Sequence, residues 1–265
     1  MKANQAKNCR GLTLTLLASA AAVLCGTAHG AVTSVILNDS NSGDNFLYNN
    51  GPTTNFAGSG LFYYDKRGGA NDSARPVIQF GLAALPGGAT ITNVKLQFKL
   101  QQYTFIDSTN GNASVTHNFS MHQMLSSWSE TTSTWNERST GDAWSAPGMA
   151  AGTDYAAAAV STIAVNSSMQ GTYLSWDITS LYNSWVSGAS QNYGVCIQGP
   201  AGVAGFLAAN GDTTDGVFRL YNTEYADDTF RPVLQITYEV PAPASLGALG
   251  AGGLILLRRR RTMAS

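Results

Sequence analysis

The stretch "NVKLQFKLQQY", Asn93 to Tyr103, indicates the fold class of this chain. Its apolar and polar residues alternate, with Val94, Leu96, Phe98 and Leu100 set against Lys95, Gln97, Lys99 and Gln101. Successive side chains of a strand point to opposite faces, so a period of two predicts a half-buried strand whose apolar face is turned inward. We expect Gln101 and Tyr103 to continue the outward row of Lys95, Gln97 and Lys99.

Shorter runs of the same kind lie on both sides. "RPVIQFGL" (Arg75 to Leu82) predicts a strand, and "PGGAT" after it is typical of a turn. Further strands are predicted at Val115–Met124, Tyr173–Ile178, Tyr193–Ile197, Val217–Tyr221 and Val233–Tyr238. One short helix is predicted at Ser180–Val186, capped by Thr179 and ended by Gly188, while Ala150–Ala164 is a loop or a short helix. The pattern predicts an all-β, jelly-roll-like β-sandwich with one short helix.

The first 30 residues read as a secretory signal peptide. Lys2, Lys7 and Arg10 precede the apolar run Leu12 to Leu24, and small residues at Ala28 and Gly30 favour a cut before Ala31. Cys25 raises lipidation as an alternative, but Leu24 stands where a small residue is needed. An N-terminal structural helix is a second alternative.

The other end, residues 240–265, reads as a hydrophobic membrane helix. Ala242 to Leu257 offers 16 residues, about 24 Å of helix against a bilayer core of about 30 Å. Arg258, Arg259, Arg260 and Arg261 then stay in the cytoplasm, which places the preceding domain outside. We therefore expect export across the inner membrane, a C-terminal membrane anchor, and then a place at the cell surface or in the extracellular matrix.

Pro241-Ala242-Pro243, the apolar run and the four arginines together resemble the PEP-CTERM sorting signal of bacteria that make exopolysaccharide. The resemblance implies an exosortase-type processing enzyme as a partner. The chain departs from the family at Ala242, where glutamate is usual, so a plain anchor that is never cut remains the alternative.

The remaining region, 31–239, is an acidic domain. Seven of the chain's 15 basic residues lie in the two terminal segments, which leaves 8 basic against 16 acidic residues. Nucleic acid is excluded as a partner on this balance, because phosphate binding needs a basic surface. Cys196 stands alone in this region, so the domain has no internal disulfide.

Four stretches of this domain resemble, in order, the DNRLRE-type module of bacterial and archaeal surface proteins. They are "RPVIQFGLAALPGGATITNVKLQFKL" (75–100), "SSWSETTSTWNE" (126–137), "SWDITSLYNSWVSGASQNYGVCIQG" (175–199) and "YNTEYADDTFRPVLQITYE" (221–239). The resemblance implies a jelly roll. It also implies a polysaccharide or exopolysaccharide matrix as partner, since some members bind such polymers, including uronates.

The side chains with catalytic potential are better explained as structural. Glu130 and Glu137 flank the tryptophan motif, and nothing in the sequence pairs them across a cleft, as glycoside hydrolysis requires. His117 and His122 fall on opposite faces of one strand by parity, so they do not readily share a metal. Cys196 lies in an apolar strand and is expected to be buried and inert. The sequence thus predicts a protein that is not an enzyme.

The candidate glycan site is the outward row Lys95, Gln97, Lys99, Gln101 and Tyr103, widened by Arg75 and Gln79 if their strands pair. The lysines favour an acidic polysaccharide. Trp144, in the loop "GDAWSAPG", is the tryptophan expected to be exposed, whereas Trp128, Trp135, Trp176 and Trp185 are assigned to the core. An ordinary solvated face on a purely structural surface or biofilm protein is the alternative, and an unrecognised polysaccharide-degrading enzyme is a third.

A calcium site is the one cofactor predicted. The loop "NDSNSGDN", Asn38 to Asn45, carries Asp39 and Asp44 among other oxygen donors, and calcium prefers several oxygen ligands. The alternative is a polar loop rich in turn-forming residues.

Overall fold

The computed structural model of the protein describes residues 29–65, 74–104, 116–199 and 217–241. Residues 29–241 form one compact unit. The leader before residue 29 and the tail with Pro243 and Arg258 to Arg261 lie outside the described residues, as does Val115 of one predicted strand. Among the described residues, none belongs to an apolar helix of membrane-spanning length.

The described residues form thirteen strands and one α-helix. The strands are β1 His29–Ile36, β2 Ser42–Tyr48, β3 Leu61–Asp65, β4 Ala74–Phe80, β5 Thr90–Thr104, β6 His117–Gln123, β7 Glu137–Ser139, β8 Asp142–Ala143, β9 Ser161–Val165, β10 Tyr173–Asp177, β11 Val195–Gln198, β12 Val217–Tyr221 and β13 Val233–Val240. The helix α1 spans Thr179–Val186.

Two antiparallel sheets make the sandwich. In the described ranges, the large sheet has the order β1-β13-β5-β12-β3, with β10 on the other side of β5, and the small sheet has the order β2-β4-β11-β6-β9. β7 and β8 form a separate hairpin. The mostly β-sandwich architecture with one helix is confirmed, and the signal peptide and the C-terminal helix stay predictions.

The inner faces of both sheets form one core. Val94, Leu96, Phe98 and Leu100 of β5 are fully buried, as the alternating pattern predicts. The Phe98 ring meets the Trp176 ring edge-on with 6.0 Å between centroids, and the Trp176 Nε1–H donates to the Phe119 carbonyl at 3.2 Å. Trp185 also lies in this core, so its predicted burial is confirmed.

The helix starts without the predicted cap. The Thr179 hydroxyl donates to Asp177 Oδ1 at 2.6 Å and accepts the Val94 N–H at 2.8 Å, and Ile178, which precedes the helix, makes no side-chain cap. The expected cap is therefore wrong, because strand β5 engages the threonine. The end is as predicted, since Gly188 has φ +74°, a left-handed conformation that favours glycine. Of the alanine-rich stretch, residues 150–160 are turns and loop, followed by β9.

Candidate functional site

The outer face of the small sheet is covered by the chain excursion 125–160. Leu47, Val77 and Cys196 point outward from this sheet and pack against a layer built from the excursion and its neighbours. That layer consists of Met124, Trp128, Trp135, Trp144, Met149, Tyr155 and Tyr193. This sheet therefore offers no free surface where the layer lies.

Trp144 belongs to the covering layer. Its side chain is 4% exposed, and its Nε1–H donates to the Thr134 carbonyl at 2.9 Å. The expectation that Trp144 is exposed is wrong, because the loop that carries it folds back onto the sheet. Trp128 and Trp135 pack in the same layer, in agreement with their predicted structural role.

The outer face of the large sheet carries a different set of side chains, which we call the open face. Strand register aligns its residues in rows that cross four strands. One row is Ser34, Gln235, Lys95 and Asp177, and the next is Ile36, Val233, Gln97 and Ser175. Lys99 and Tyr173 form the start of a third row. Four strands span about 14 Å at the usual interstrand spacing, a width that accommodates a sugar polymer.

Apolar and aromatic side chains are exposed on the open face. Val32, Ile36 and Tyr173 are 61%, 43% and 37% exposed, respectively. The Phe230 ring lies beside them, with Lys99 Nζ 3.7 Å from its centroid. Exposed apolar groups rimmed by polar residues are typical of interaction surfaces, and aromatic rings with a polar tip suit the amphipathic faces of sugars.

The outward row does not continue to Gln101 and Tyr103 as predicted. Strand β12 pairs Arg219 with Gln102 and Leu220 with Leu100, so Gln101 is an extra residue in a β-bulge. A bulge reverses the alternation beyond it. Tyr103 is consequently 2% exposed and faces the core, where its hydroxyl lies 2.7 Å from His117 Nδ1. Its predicted outward position is wrong.

Gln102 takes the outward place beyond the bulge. Its Oε1 accepts a hydrogen bond from Arg219 Nη1 at 3.0 Å, and the guanidinium carbon of Arg219 lies 5.0 Å from the Tyr63 ring centroid. Gln101 itself is half-buried, and its Oε1 is buried without a hydrogen-bond partner. The basic and aromatic character of the open face therefore extends through Arg219 and Tyr63.

Each lysine of the open face lies near an aspartate. Hydrogen bonds from Thr179, and to a smaller degree the charge of Lys95, hold the pKa of Asp177 below its usual range. Hydrogen bonds from Thr229, with a smaller contribution from Lys99, lower the pKa of Asp227. A carboxylate ligand would thus approach lysines that already have acidic neighbours.

Arg75 and Gln79 do not widen the open face. They lie on β4, which belongs to the small sheet, whereas β5 belongs to the large sheet. The Arg75 guanidinium lies 5.3 Å from the Trp135 ring centroid and donates to the Met149 carbonyl at 2.8 Å. Its role is to hold the covering layer, so the predicted extension of the patch is wrong.

The residues with catalytic potential have structural partners. Glu130 Oε1 accepts the Asp44 N–H at 3.1 Å, and Glu137 Oε2 accepts the Gly141 N–H at 3.3 Å. Cys196 is fully buried, and burial raises the pKa of its thiol to about 12. The two glutamates therefore have structural roles as hydrogen-bond acceptors, and Cys196 has a structural role as a buried side chain.

His117 and His122 are separated as their parity predicts. His122 hydrogen-bonds the Ser120 hydroxyl and the Ala156 carbonyl, each at 2.8 Å, on the covered side of the small sheet. His117 faces Tyr103 in the core. The two imidazoles therefore lie on opposite sides of β6.

The two predicted calcium ligands differ in environment. Asp39 is exposed, whereas Asp44 is fully buried between the sheets. Burial, followed by the charge of the Glu224 carboxylate, raises the pKa of Asp44 well above its usual range. Within the described ranges, no three Asp, Glu, His or Cys side chains gather as a metal site.

The β-sandwich thus has one sheet face covered by a layer of side chains and the other presenting polar, basic and aromatic side chains. The chain belongs to carbohydrate-binding module family 96, whose sequence model matches residues 38–217, about two thirds of the chain. No curated protein matches the chain. Family membership supports carbohydrate binding and a non-catalytic domain, while the DNRLRE-type and PEP-CTERM resemblances stay predictions.

Sequence reasoning missed Tyr173, Phe230 and Ser34 on the open face. The outward position of Tyr173 could have been predicted from the sequence. In a predicted strand, Tyr173, Ser175 and Asp177 alternate with the apolar residues Leu174, Trp176 and Ile178. Phe230 lies in a 3₁₀ turn, Asp228–Phe230, and its contact with Lys99 depends on how the chain connects β12 to β13.

Proposed function

We propose that this domain binds a polysaccharide along the open face, without catalysis, at the cell surface or in the extracellular matrix. The observation that carries the proposal is the contrast between the two sheets, one covered by a tryptophan-rich layer and the other presenting ordered polar rows with exposed Tyr173. Membership of a carbohydrate-binding family supports it.

We propose an acidic polysaccharide as the ligand class. Lys95, Lys99 and Arg219, three of the eight basic residues of region 31–239, lie on this face. Uronate carboxylates would pair with these cations in competition with Asp177 and Asp227, while Gln97, Ser175 and Gln235 would hydrogen-bond hydroxyl groups. Such exposed ion pairs each contribute up to about 1 kcal/mol, so affinity depends on several of them together.

The test is binding of the purified protein to a uronate polymer and to a neutral glucan, measured by affinity electrophoresis and calorimetry. The Lys95→Ala/Lys99→Ala double variant should bind the uronate polymer roughly tenfold more weakly, as expected when two exposed ion pairs are lost. The control is Arg138→Ala, which removes a cation that pairs with Asp142 in the β7–β8 hairpin.

Three results would contradict parts of this proposal. A folded double variant that binds like the wild type would place the site elsewhere. A wild type that binds the neutral glucan equally well would refute the acidic preference alone. A wild type that binds no polysaccharide would overturn the function and favour a purely structural surface protein.

We also propose that the domain is exported and sorted, on the basis of the terminal sequences. A cut before Ala31 would remove only His29 and Gly30 from β1, which leaves six of its eight pairings with β13 in place. Pro241 follows β13 directly and has no N–H to continue the ladder. Mass spectrometry of the surface-released protein tests the processing; an intact tail with Arg258 to Arg261 would leave a plain anchor and exclude exosortase cleavage.

A further inference from the structure

Four oxygen-bearing side chains meet between the two sheets, and we call them the inter-sheet cluster. They are Asp44 on β2 and the three residues that follow β12, Asn222, Thr223 and Glu224. Asp44, Asn222 and Thr223 are fully buried, and Glu224 is half-buried. In addition to burial, the charge of the nearby Glu224 carboxylate contributes to raising the pKa of Asp44.

The Thr223 hydroxyl cannot satisfy both carboxylates. It lies 2.7 Å from Asp44 Oδ2 and 2.9 Å from Glu224 Oε1. A hydroxyl has one proton to donate, so one of these carboxylate oxygens faces a lone pair. Asp44 Oδ2 also accepts the Thr223 N–H at 3.0 Å, so the unmet demand falls mainly on the Glu224 carboxylate. An added proton or a cation would offset the repulsion between the two carboxylates.

Two other oxygens of the cluster have no hydrogen-bond partner. They are Oδ1 of the fully buried Asn222 and Oε2 of Glu224, both inaccessible to solvent. Buried polar atoms without partners are uncommon and costly in native proteins. The Asn222 amide is already at the cluster, since its Nδ2 lies 3.2 Å from Asp44 Oδ1. A half-turn of this amide would bring Oδ1 to the same place.

We propose that the inter-sheet cluster binds a divalent cation of the calcium class. Asp44 and Glu224 would supply charge, Asn222 Oδ1 a neutral ligand, and Thr223 and water the remaining oxygens. Calcium takes several oxygen ligands in proteins, among them carboxylates and the carbonyl oxygens of amide side chains. The cation would offset the repulsion between the two carboxylates and satisfy the unpartnered oxygens.

The proposed ligands differ from Asp39 and Asp44, the pair predicted from the sequence. Asp44 remains, but its partners come from the segment after β12 and not from its own loop. Asp39 is exposed and acts on Glu224 through its charge, so it would add to the negative field around the site. The family match ends at Val217, which places Asn222 and Glu224 beyond the matched region.

A cation here would join the two sheets, because Asp44 belongs to the small sheet and Asn222 to Glu224 continue from the large sheet. A ligand that binds only the native state stabilises it in proportion to its occupancy. For a domain of this size, calcium at a hundredfold excess over its dissociation constant should raise the thermal midpoint by about 5–10 °C.

The experiment compares the purified wild type with Glu224→Gln, and uses Glu239→Gln, an exposed carboxylate on β13, as the matched control. Thermal midpoints are recorded in calcium chloride and in a chelator, and calcium binding is measured by calorimetry and by displacement of terbium luminescence excited through tyrosine. Wild type and Glu239→Gln should respond to calcium, and Glu224→Gln should lose the response.

A second variant keeps the test decisive if Glu224→Gln does not fold. Asn222→Asp adds a carboxylate, so it should be destabilised in chelator and restored by calcium if a cation is bound. Destabilisation that calcium does not relieve would overturn the proposal in favour of a shared proton. A wild type with no calcium heat and no midpoint shift, or a folded Glu224→Gln that binds calcium normally, would also overturn it. None of these readouts depends on carbohydrate binding.

Discussion

Replacing Gly194 by alanine should destabilise the protein far more than the same change at a glycine with open surroundings. Gly194 has φ +84° and precedes β11 where that strand meets β4. Its N–H donates to Asn192 Oδ1 at 3.0 Å, while Asn192 Nδ2 donates to the Phe80 carbonyl at 2.8 Å. The Asn-Tyr-Gly stretch therefore clamps β11 against β4.

The expected magnitude has two parts. A left-handed conformation costs an L-residue about 1–2 kcal/mol. A Cβ at Gly194 would also lie 2.7 Å from the Gln79 Cα, and nearer still to the Ile78 carbonyl, whereas carbon atoms pack best at about 3.5–4.0 Å. Relief requires movement of β4 backbone, with loss of hydrogen bonds at about 1 kcal/mol each. We expect the variant to lose roughly 3–5 kcal/mol in total.

Gly152→Ala is the matched control, because Gly152 has φ +82° and nothing within 4 Å of an added Cβ. It should lose only the conformational part, about 1–2 kcal/mol. Urea unfolding followed by tryptophan fluorescence measures both losses. Equal losses for the two variants would show that the close approach at Gly194 carries no energetic weight and refute the reasoning.

Three further predictions concern single side chains. The Cys196 thiol, whose pKa is raised to about 12 by burial, should resist a thiol reagent at about pH 8.5 until the protein is unfolded, since the thiolate is the reactive form; native reaction at the rate of a free thiol would contradict this. Trp144→Phe leaves the Thr134 carbonyl without its indole donor, so urea unfolding should show a loss of about 1–3 kcal/mol, with unchanged polysaccharide affinity in calorimetry. Hydrogen bonds from Thr179 lower the pKa of Asp177, so this carboxylate stabilises the fold above its unfolded pKa of about 3.9, and the stabilisation is lost as pH falls through the folded pKa. The difference in free energy of unfolding between wild type and Asp177→Ala should therefore shrink over that pH range. A difference that stays constant would contradict the lowered pKa.

The sequence pattern predicts β5 well only as far as Leu100. Up to that point each side chain alternates between core and open face, and the alternation is visible in the residues themselves. The bulge at Gln101 arises from the register of β12, which pairs Leu220 with Leu100 and Arg219 with Gln102. Because that register is a tertiary property, parity counting placed Tyr103 on the wrong face.

Strand β2 was missed for a different reason. Four consecutive residues, Asp44 to Leu47, are buried, so the strand shows no alternation. Two of them are polar and suggest a loop. Their partners lie far away in the sequence, with Asn45 Nδ2 donating to the Ser133 carbonyl and Asp44 accepting from Thr223. Polar residues that are satisfied only by remote contacts cannot be told from loop residues by pattern.

The tryptophan-rich layer over the small sheet has a consequence for assembly. If the domain binds through the open face, as proposed, a single copy would hold one polymer strand on that face. Cross-linking a matrix would then require two copies whose positions are fixed relative to each other. Many copies held at one surface would retain a long polymer by avidity, even where each contact is weak and short-lived.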